Sequence, residues 1–192
     1  MWGDLVPPKV KTTKEAIINV AVEIVRKEGA AALNARTVAA LLNCSTQPVF
    51  SNFATMDALR MAVVEKADAL CWEYIRTEVE SGAYPAYKAT GIAYIRFAKE
   101  EKELFKLLYM RDRSDENTAT SSELNGEMEN IIQENTGLDG KNMQLFHLEM
   151  WSCVHGIATM FATGFVDLEW ELVSQMLTDI YQGLRTRYER SE

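Results

Sequence analysis

The sequence predicts an all-α protein, with a small N-terminal helix-turn-helix domain joined by a long helix to a larger helical domain. Three observations carry this. Only four prolines occur in 192 residues, Pro7, Pro8, Pro48 and Pro85, and three of them sit in a tail or at a helix start, so long helices are permitted nearly everywhere. Apolar residues recur at spacings of three and four, while alternating strand patterns bounded by turn signals are absent. Charge is also split along the chain. Of 20 bases and 28 acids, seven bases and five acids fall in residues 1–60, a net of +2; this leaves 13 bases and 23 acids, a net of -10, for residues 61–192. Only the N-terminal part can approach phosphates without broad repulsion.

Residues 1–12 read as a flexible tail. Thr13 is an N-cap candidate for a first helix with Ile17, Ala21, Ile24 and Val25 on one face, and Gly29 stops it. A short second helix runs from Asn34 through Leu42, with Val38, Ala39 and Leu42 turned inward. The chain must reverse at Asn43, and Asn tolerates a left-handed backbone better than most residues. The third helix lies in NCSTQPVFSNF, Asn43 to Phe53, and a fourth begins near Met56, shows Leu59, Val63, Ala67, Leu70 and Tyr74 on one face, and ends near Gly82. Beyond Pro85 come a helix to about Lys99 and another through Leu104, Phe105, Leu108 and Tyr109. The polar run Arg111 to Ser122 is the clearest loop. A moderately apolar helix then runs to Thr136 and is broken by GLDG; the last two helices, Asn142 to Thr163 and Glu169 to about Tyr188, are the most hydrophobic. The domain boundaries this implies are 13–56 and 57–192.

A composition 47% hydrophobic and 25% charged fits a folded chain rather than a disordered one. Cys44, Cys71 and Cys153 lie far apart without a CxxC pair, which points to a reducing, cytoplasmic interior rather than a disulfide or zinc framework. The start lacks the apolar core of a signal peptide, and the longest apolar run, near Gly156 to Val166, is too short to span a bilayer.

The third helix carries the chemistry. Val49, Phe50 and Phe53 supply a buried spacing, Cys44 packs in the turn, and Ser45 serves as N-cap, which puts Pro48 in the first turn where a missing N–H costs little. Thr46, Gln47, Pro48 and Ser51 then face outward. Gln can bond an adenine edge in both directions, while Thr and Pro offer apolar contact to a thymine methyl. Such a helix suits the major groove as the second element of a helix-turn-helix. A plain capped helix in a bundle would use the same residue types.

Context separates the two. The run from Thr13 to Leu59 resembles the DNA-binding domain of the TetR family of bacterial repressors, through Ala21, Glu28-Gly29, Leu33, Arg36, Val38-Ala39, Ser45, Phe53 and Leu59. The resemblance implies DNA contacts from Arg36, Thr37, Ser45, Thr46, Gln47, Pro48, Val49, Ser51 and Asn52. Four positions depart from the family pattern. Asn43 stands where Gly is usual, and Phe50, Asn52 and Met56 stand where the family has the Tyr, His and Lys that grip phosphates. Phosphate neutralisation supplies much of DNA affinity. The departures therefore imply weaker binding, or compensation from Lys9, Lys11, Lys14 and Arg36.

In the larger part, WSCVHGIATMFATG, Trp151 to Gly164, resembles the Trp-x-x-x-His-Gly signature of one C-terminal subclass of this family. His147, Trp151 and His155 climb one helix face, drifting about 40° per step. With Phe97, Phe105, Leu108, Tyr109 and Met150 they form the candidate ligand pocket, though aromatic and Met residues at helical spacing also serve as ordinary core. The family resemblance further implies a homodimer through the last two helices, with Val154, Phe161, Val173, Met176, Leu177, Ile180, Tyr181 and Leu184 at the interface. Its two-fold axis would suit a palindromic operator with half-sites about 34–36 Å apart.

No HExxH, GxSxG, Walker-type or GxGxxG run occurs, so the sequence calls for no metal, cofactor or enzymatic activity. The reading is a ligand-responsive regulator, a repressor bound to double-stranded DNA and released by a small apolar or aromatic effector. The alternative is a helical small-molecule-binding protein of the same fold with little DNA affinity.

Overall fold

In the computed structural model, which describes residues 12–112 and 126–189, Thr13 opens the first helix: its Oγ1 accepts the Ala16 amide at 3.1 Å. Helix α1 (Lys14–Glu28) ends at Gly29, whose φ of 80° suits a residue without Cβ. After a turn of 3-10 helix, Asn34 caps α2 (Ala35–Leu41) through a capping box: its Oδ1 accepts the Arg36 and Thr37 amides, and Thr37 Oγ1 accepts the Asn34 amide at 3.2 Å. The chain reverses at Asn43, at φ 49°, before α3 (Gln47–Asn52). Among the described residues there is no strand. The predicted tail up to residue 11, with Lys9 and Lys11, and the predicted loop over 113–122 lie outside the described residues.

Two compact units divide at residues 66 and 67, inside α4 (Met56–Ser81). The N-terminal unit takes the first turns of α4, with Leu59 and Val63 fully buried, and so runs past the expected boundary at residue 56. Ile17, Ala21, Ile24 and Val25 of α1, Val38 and Ala39 of α2, and Val49 and Phe53 are buried in it. Lower on α4 the buried residues are Cys71, Ile75 and Glu78, and the predicted Leu70 and Tyr74 are only half-buried. The inward face runs in fours from Leu59 to Ile75 and then steps by three to Glu78.

The C-terminal unit is organised around α5 (Ala86–Glu100), which packs against α6 (Lys102–Tyr109), α7 (Gly126–Thr136), α8 (Gly140–Thr163) and α9 (Trp170–Glu189). A helix with neighbours on every side must be apolar all round and narrow where they come close. Ala89, Ile92, Ala93, Ile95, Phe97 and Ala98 are buried accordingly. A Cβ on Gly91 would sit 3.3 Å from both Val154 Cγ2 and Leu177 Cδ1, so α8 and α9 approach α5 as closely as its missing side chain allows. One buried cluster joins Tyr87, Ile132, Met143, Phe146, Met150 and Tyr188. At the end of α7, Tyr181 donates to the Asn135 carbonyl at 2.8 Å and Arg185 to that of Thr136. Among the described residues no helix is long and apolar enough to cross a membrane.

Candidate functional site: a recognition helix and an aromatic cavity

In the N-terminal unit α3 is held on α2 by two kinds of contact. The Cys44 amide bonds the Ala39 carbonyl at 3.0 Å across the turn, and Val49 is fully buried, as is Val38. Phe53 is buried too, with the Lys14 ammonium 5.3 Å above its ring. Arg36, Ser45, Gln47 and Ser51 are exposed, and Thr46, Pro48 and Asn52 half-buried, so seven of the nine predicted contact residues keep accessible surface. The other two differ. Val49 has no surface left to offer a base pair, and half-buried Thr37 has its hydroxyl committed to the α2 cap and the Ala32 and Asn34 carbonyls.

Three further details differ from expectation. Phe50 is 50% exposed and is not part of the buried spacing. In a helix of six residues the i, i+4 pair Val49–Phe53 defines the inward side, and Phe50 points about 100° away from Val49. The cap falls on Thr46, without a side-chain capping bond, rather than on Ser45; Pro48 still lies in the first turn. Asn52 Nδ2 donates to the Pro48 carbonyl at 2.8 Å and Ser51 Oγ to that of Gln47 at 2.9 Å, so both side chains already bond their own helix.

The C-terminal unit holds a cavity of about 1420 Å³. Helix α4 supplies Asp68, Cys71, Trp72 and Ile75; α5 supplies Tyr87, Lys88, Thr90, Gly91 and Tyr94. Helix α8 supplies His147, Met150, Trp151 and His155, with Leu145 and Leu148, and Tyr109, Met128, Leu177 and Tyr181 complete most of the wall. Five predicted pocket residues therefore line it: Tyr109, His147, Met150, Trp151 and His155. Phe97, Phe105 and Leu108 do not; all three are buried in the core, Phe105 lying behind the wall with its ring 5.8 Å from that of His155.

Two tyrosine–histidine pairs order the cavity. The Tyr87 hydroxyl lies 3.0 Å from His147 Nδ1, and the Tyr94 hydroxyl 3.0 Å from His155 Nδ1. Trp151 stacks on His155 at 4.7 Å between ring centroids and 20° between planes, with Tyr94 and Tyr109 also in ring contact. Burial holds His147 down at about 4 and lowers His155, so both imidazoles are neutral at pH 7. Burial raises Tyr87, Tyr94 and Tyr109 well above the usual phenol range, and pushes the Cys71 thiol up to about 12 despite a bond from Tyr109. The rings of the two pairs are thus uncharged and present hydrogen-bonding groups. Lys88, its ammonium 2.8 Å from Thr178 Oγ1, and exposed Asp68 and Lys141 add charge to the lining.

The sequence did not single out Tyr87 and Tyr94. The available signal was two tyrosines seven residues apart on α5, matched by two histidines eight apart on α8.

Among the predicted interface residues, Val154, Phe161, Val173 and Leu177 are buried within the chain itself and serve its own core; Val154 and Leu177 also line the cavity. Met176, Ile180, Tyr181 and Leu184 are half-buried. The apolar surface left outward on these two helices includes Leu145, Leu148, Met160 and Leu172.

Comparison with known proteins agrees with this architecture. Residues 87–180 match the family model described as tetracyclin repressor-like, C-terminal domain. A TetR-like transcriptional regulator from Rhodococcus sp. RHA1 superimposes with a TM-score of 0.64 at 13% identity, over 97% of this chain and 100% of that one. A putative transcriptional regulator from Pseudomonas aeruginosa PAO1 gives 0.70 at 13% identity over 93% and 92%. The multidrug binding protein EbrR, complexed with imidazole, gives 0.59 at 17% identity over 87% and 88%. No curated protein matches the chain in sequence.

Proposed function

We propose that the chain is a cytoplasmic, homodimeric repressor of the TetR family, a reading supported by the match of residues 87–180 to the tetracyclin repressor-like C-terminal domain. It binds a palindromic operator through α3 and is released by a small, mainly aromatic effector. The observation that carries this reading is the cavity with its two Tyr–His pairs, inside a domain of that family and on a chain whose α3 displays Gln47 beside Thr46, Pro48 and Ser51. Arg36 is the exposed cation on α2 for a phosphate. Helix α4 gives Trp72 and Ile75 to the cavity and its first turns to the N-terminal unit. A ligand that displaces α4 would alter the spacing of the two recognition helices, a coupling of about 1–3 kcal/mol. We read the chain as a binding protein, with no step of catalysis.

One specific observation favours the second reading, a ligand-binding protein with little DNA affinity. Phe50, Asn52 and Met56 lack the groups that would grip phosphate, and the Asn52 amide is already bonded to its own helix. Fluorescence anisotropy of a labelled duplex from upstream of the protein's own gene, titrated at several salt concentrations, separates the two. Tight binding with a shallow salt slope supports a regulator that relies on base contacts. Binding no tighter than to random duplex, for that duplex and for any recovered from a random-sequence library, supports the second reading.

A further inference from the structure

The cavity is more particular than an apolar hole. Tyr87 and His147 are paired, and so are Tyr94 and His155, at 3.0 Å each. A neutral phenol has one proton to donate, and the Tyr87 hydroxyl has Nδ1 of His147 as its partner among the described residues. The Tyr94 hydroxyl likewise lies 3.0 Å from Nδ1 of His155, while Tyr109 gives its own proton to Cys71 Sγ. With each phenol as the donor, Nδ1 is the acceptor and the imidazole carries its hydrogen on Nε2. Neither Nε2 has a hydrogen-bond partner among the described residues, and both histidines line the cavity. An N–H donor on a cavity wall is a point at which a ligand acceptor gains a hydrogen bond.

The spacing of the pairs adds a length. Tyr87 and Tyr94 are seven residues apart on α5, and His147 and His155 eight apart on α8. At 1.5 Å per residue the two pairs are separated by about 10 Å along α5 and about 12 Å along α8. Between them Met150 and Trp151 offer an apolar, aromatic wall, with Trp72 on α4.

We propose that the cavity reads its ligand with two N–H donors, Nε2 of His147 and Nε2 of His155, and takes an elongated aromatic molecule with an oxygen acceptor at each end. The inference rests on the cavity being the effector site. It goes beyond that reading by assigning the ligand a polarity, a length and two anchoring residues. A purely apolar ligand of the same shape leaves both donors unpaired, and a ligand with one acceptor leaves one.

The test uses full-length protein and two neutral ketones: a biphenyl with an acetyl group para on each ring, and one with a single such acetyl. Calorimetric titration at pH 7 should give the two-ended ketone about a tenfold lower Kd, the worth of one hydrogen bond. In His147→Phe and in His155→Phe the preference should fall to about one, while the one-ended ketone, which can use either donor, still binds. Tyr87→Phe and Tyr94→Phe keep the rings but release the tautomers. They should reduce the preference in the same direction, and they serve if a histidine variant does not fold. Equal Kd values for the two ketones in the wild type overturn the two-donor reading and leave the cavity as a ligand site. So does a preference that survives in folded variants. Binding of neither ketone to folded protein overturns the cavity reading and this proposal with it.

Discussion

Val49→Ala separates two roles that a single residue of α3 cannot both have. The sequence places Val49 among the DNA contacts; in the structure it is fully buried beneath the helix that carries them. Losing two methyl groups from a buried site costs about 1.6 kcal/mol in transfer free energy, at roughly 0.8 per carbon. The space left behind adds about 0.5–1 kcal/mol if the neighbours relax only partly. The sum is about 2 kcal/mol, and it falls on a helix of six residues, far below the length at which a helix persists alone. The loss should therefore appear as increased amide exchange over residues 47–53, measured by peptide-resolved hydrogen exchange, with peptides of the C-terminal unit unchanged. DNA affinity should fall by a similar factor for every operator variant, because each contact is carried by the same loosened helix. A normal exchange pattern combined with lost discrimination at one base pair would show that the side chain touches DNA, and the burial argument would be wrong.

Three further outcomes are expected. At Asn43, φ is 49°, so Asn43→Gly should leave the Tm equal or higher while Asn43→Ala lowers stability by about 1 kcal/mol; equal thermal melts for the two would remove the left-handed turn as a constraint. His147 is held at about 4 when folded, below its ordinary value of 6.5, so protons bind the unfolded chain more readily. Its contribution to stability is intact above about pH 6.5 and lost as the pH falls toward 4; melts across that range should show a drop that His147→Gln abolishes, and an identical drop in the variant would assign the effect elsewhere. Phe50, half exposed on α3, should accept a hydroxyl without disturbing the core, and Phe50→Tyr should tighten operator binding if a phosphate bond is what the chain lacks; unchanged anisotropy titrations would sink that idea.

What the sequence made legible follows from the range over which each signal acts. Caps and stops are local, and Thr13, Gly29 and Asn43 were readable because each does its work within a few residues. Helix existence was readable because a run of threes and fours repeats many times. The face of a short helix was not: α3 has six residues, and one extra aromatic was enough to assign Phe50 to the buried side. Width was the corresponding difficulty in α9. The stripe from Val173 to Tyr188 spans well over 100° of the helix. Periodicity cannot say which edge faces the chain's own core and which is left for a partner. Val173, Leu177 and Tyr188 turn out to be the inner edge, while Met176, Ile180 and Leu184 keep part of their surface.

The cavity shows the same division at longer range. One wall was visible, because His147, Trp151 and His155 share a face of α8 by spacing alone. The residues that bond those histidines lie some 60 positions earlier, on α5, and no local rule connects them. What connects them is packing. Helix α5 is buried on nearly every side, and Gly91 lets α8 and α9 come close enough for Tyr87 and Tyr94, on the turns before and after it, to reach across. The same glycine that tightens the core thus sets the distance at which both tyrosines meet their histidines. Gly91→Ala should push against Val154 and Leu177, two residues that line the cavity, and loosen both Tyr–His pairs together rather than either alone. Imidazole proton shifts, followed by NMR in Gly91→Ala, would report this; movement of only one histidine would mean that the pairs are positioned independently, and that α5 does not act as their common spacer.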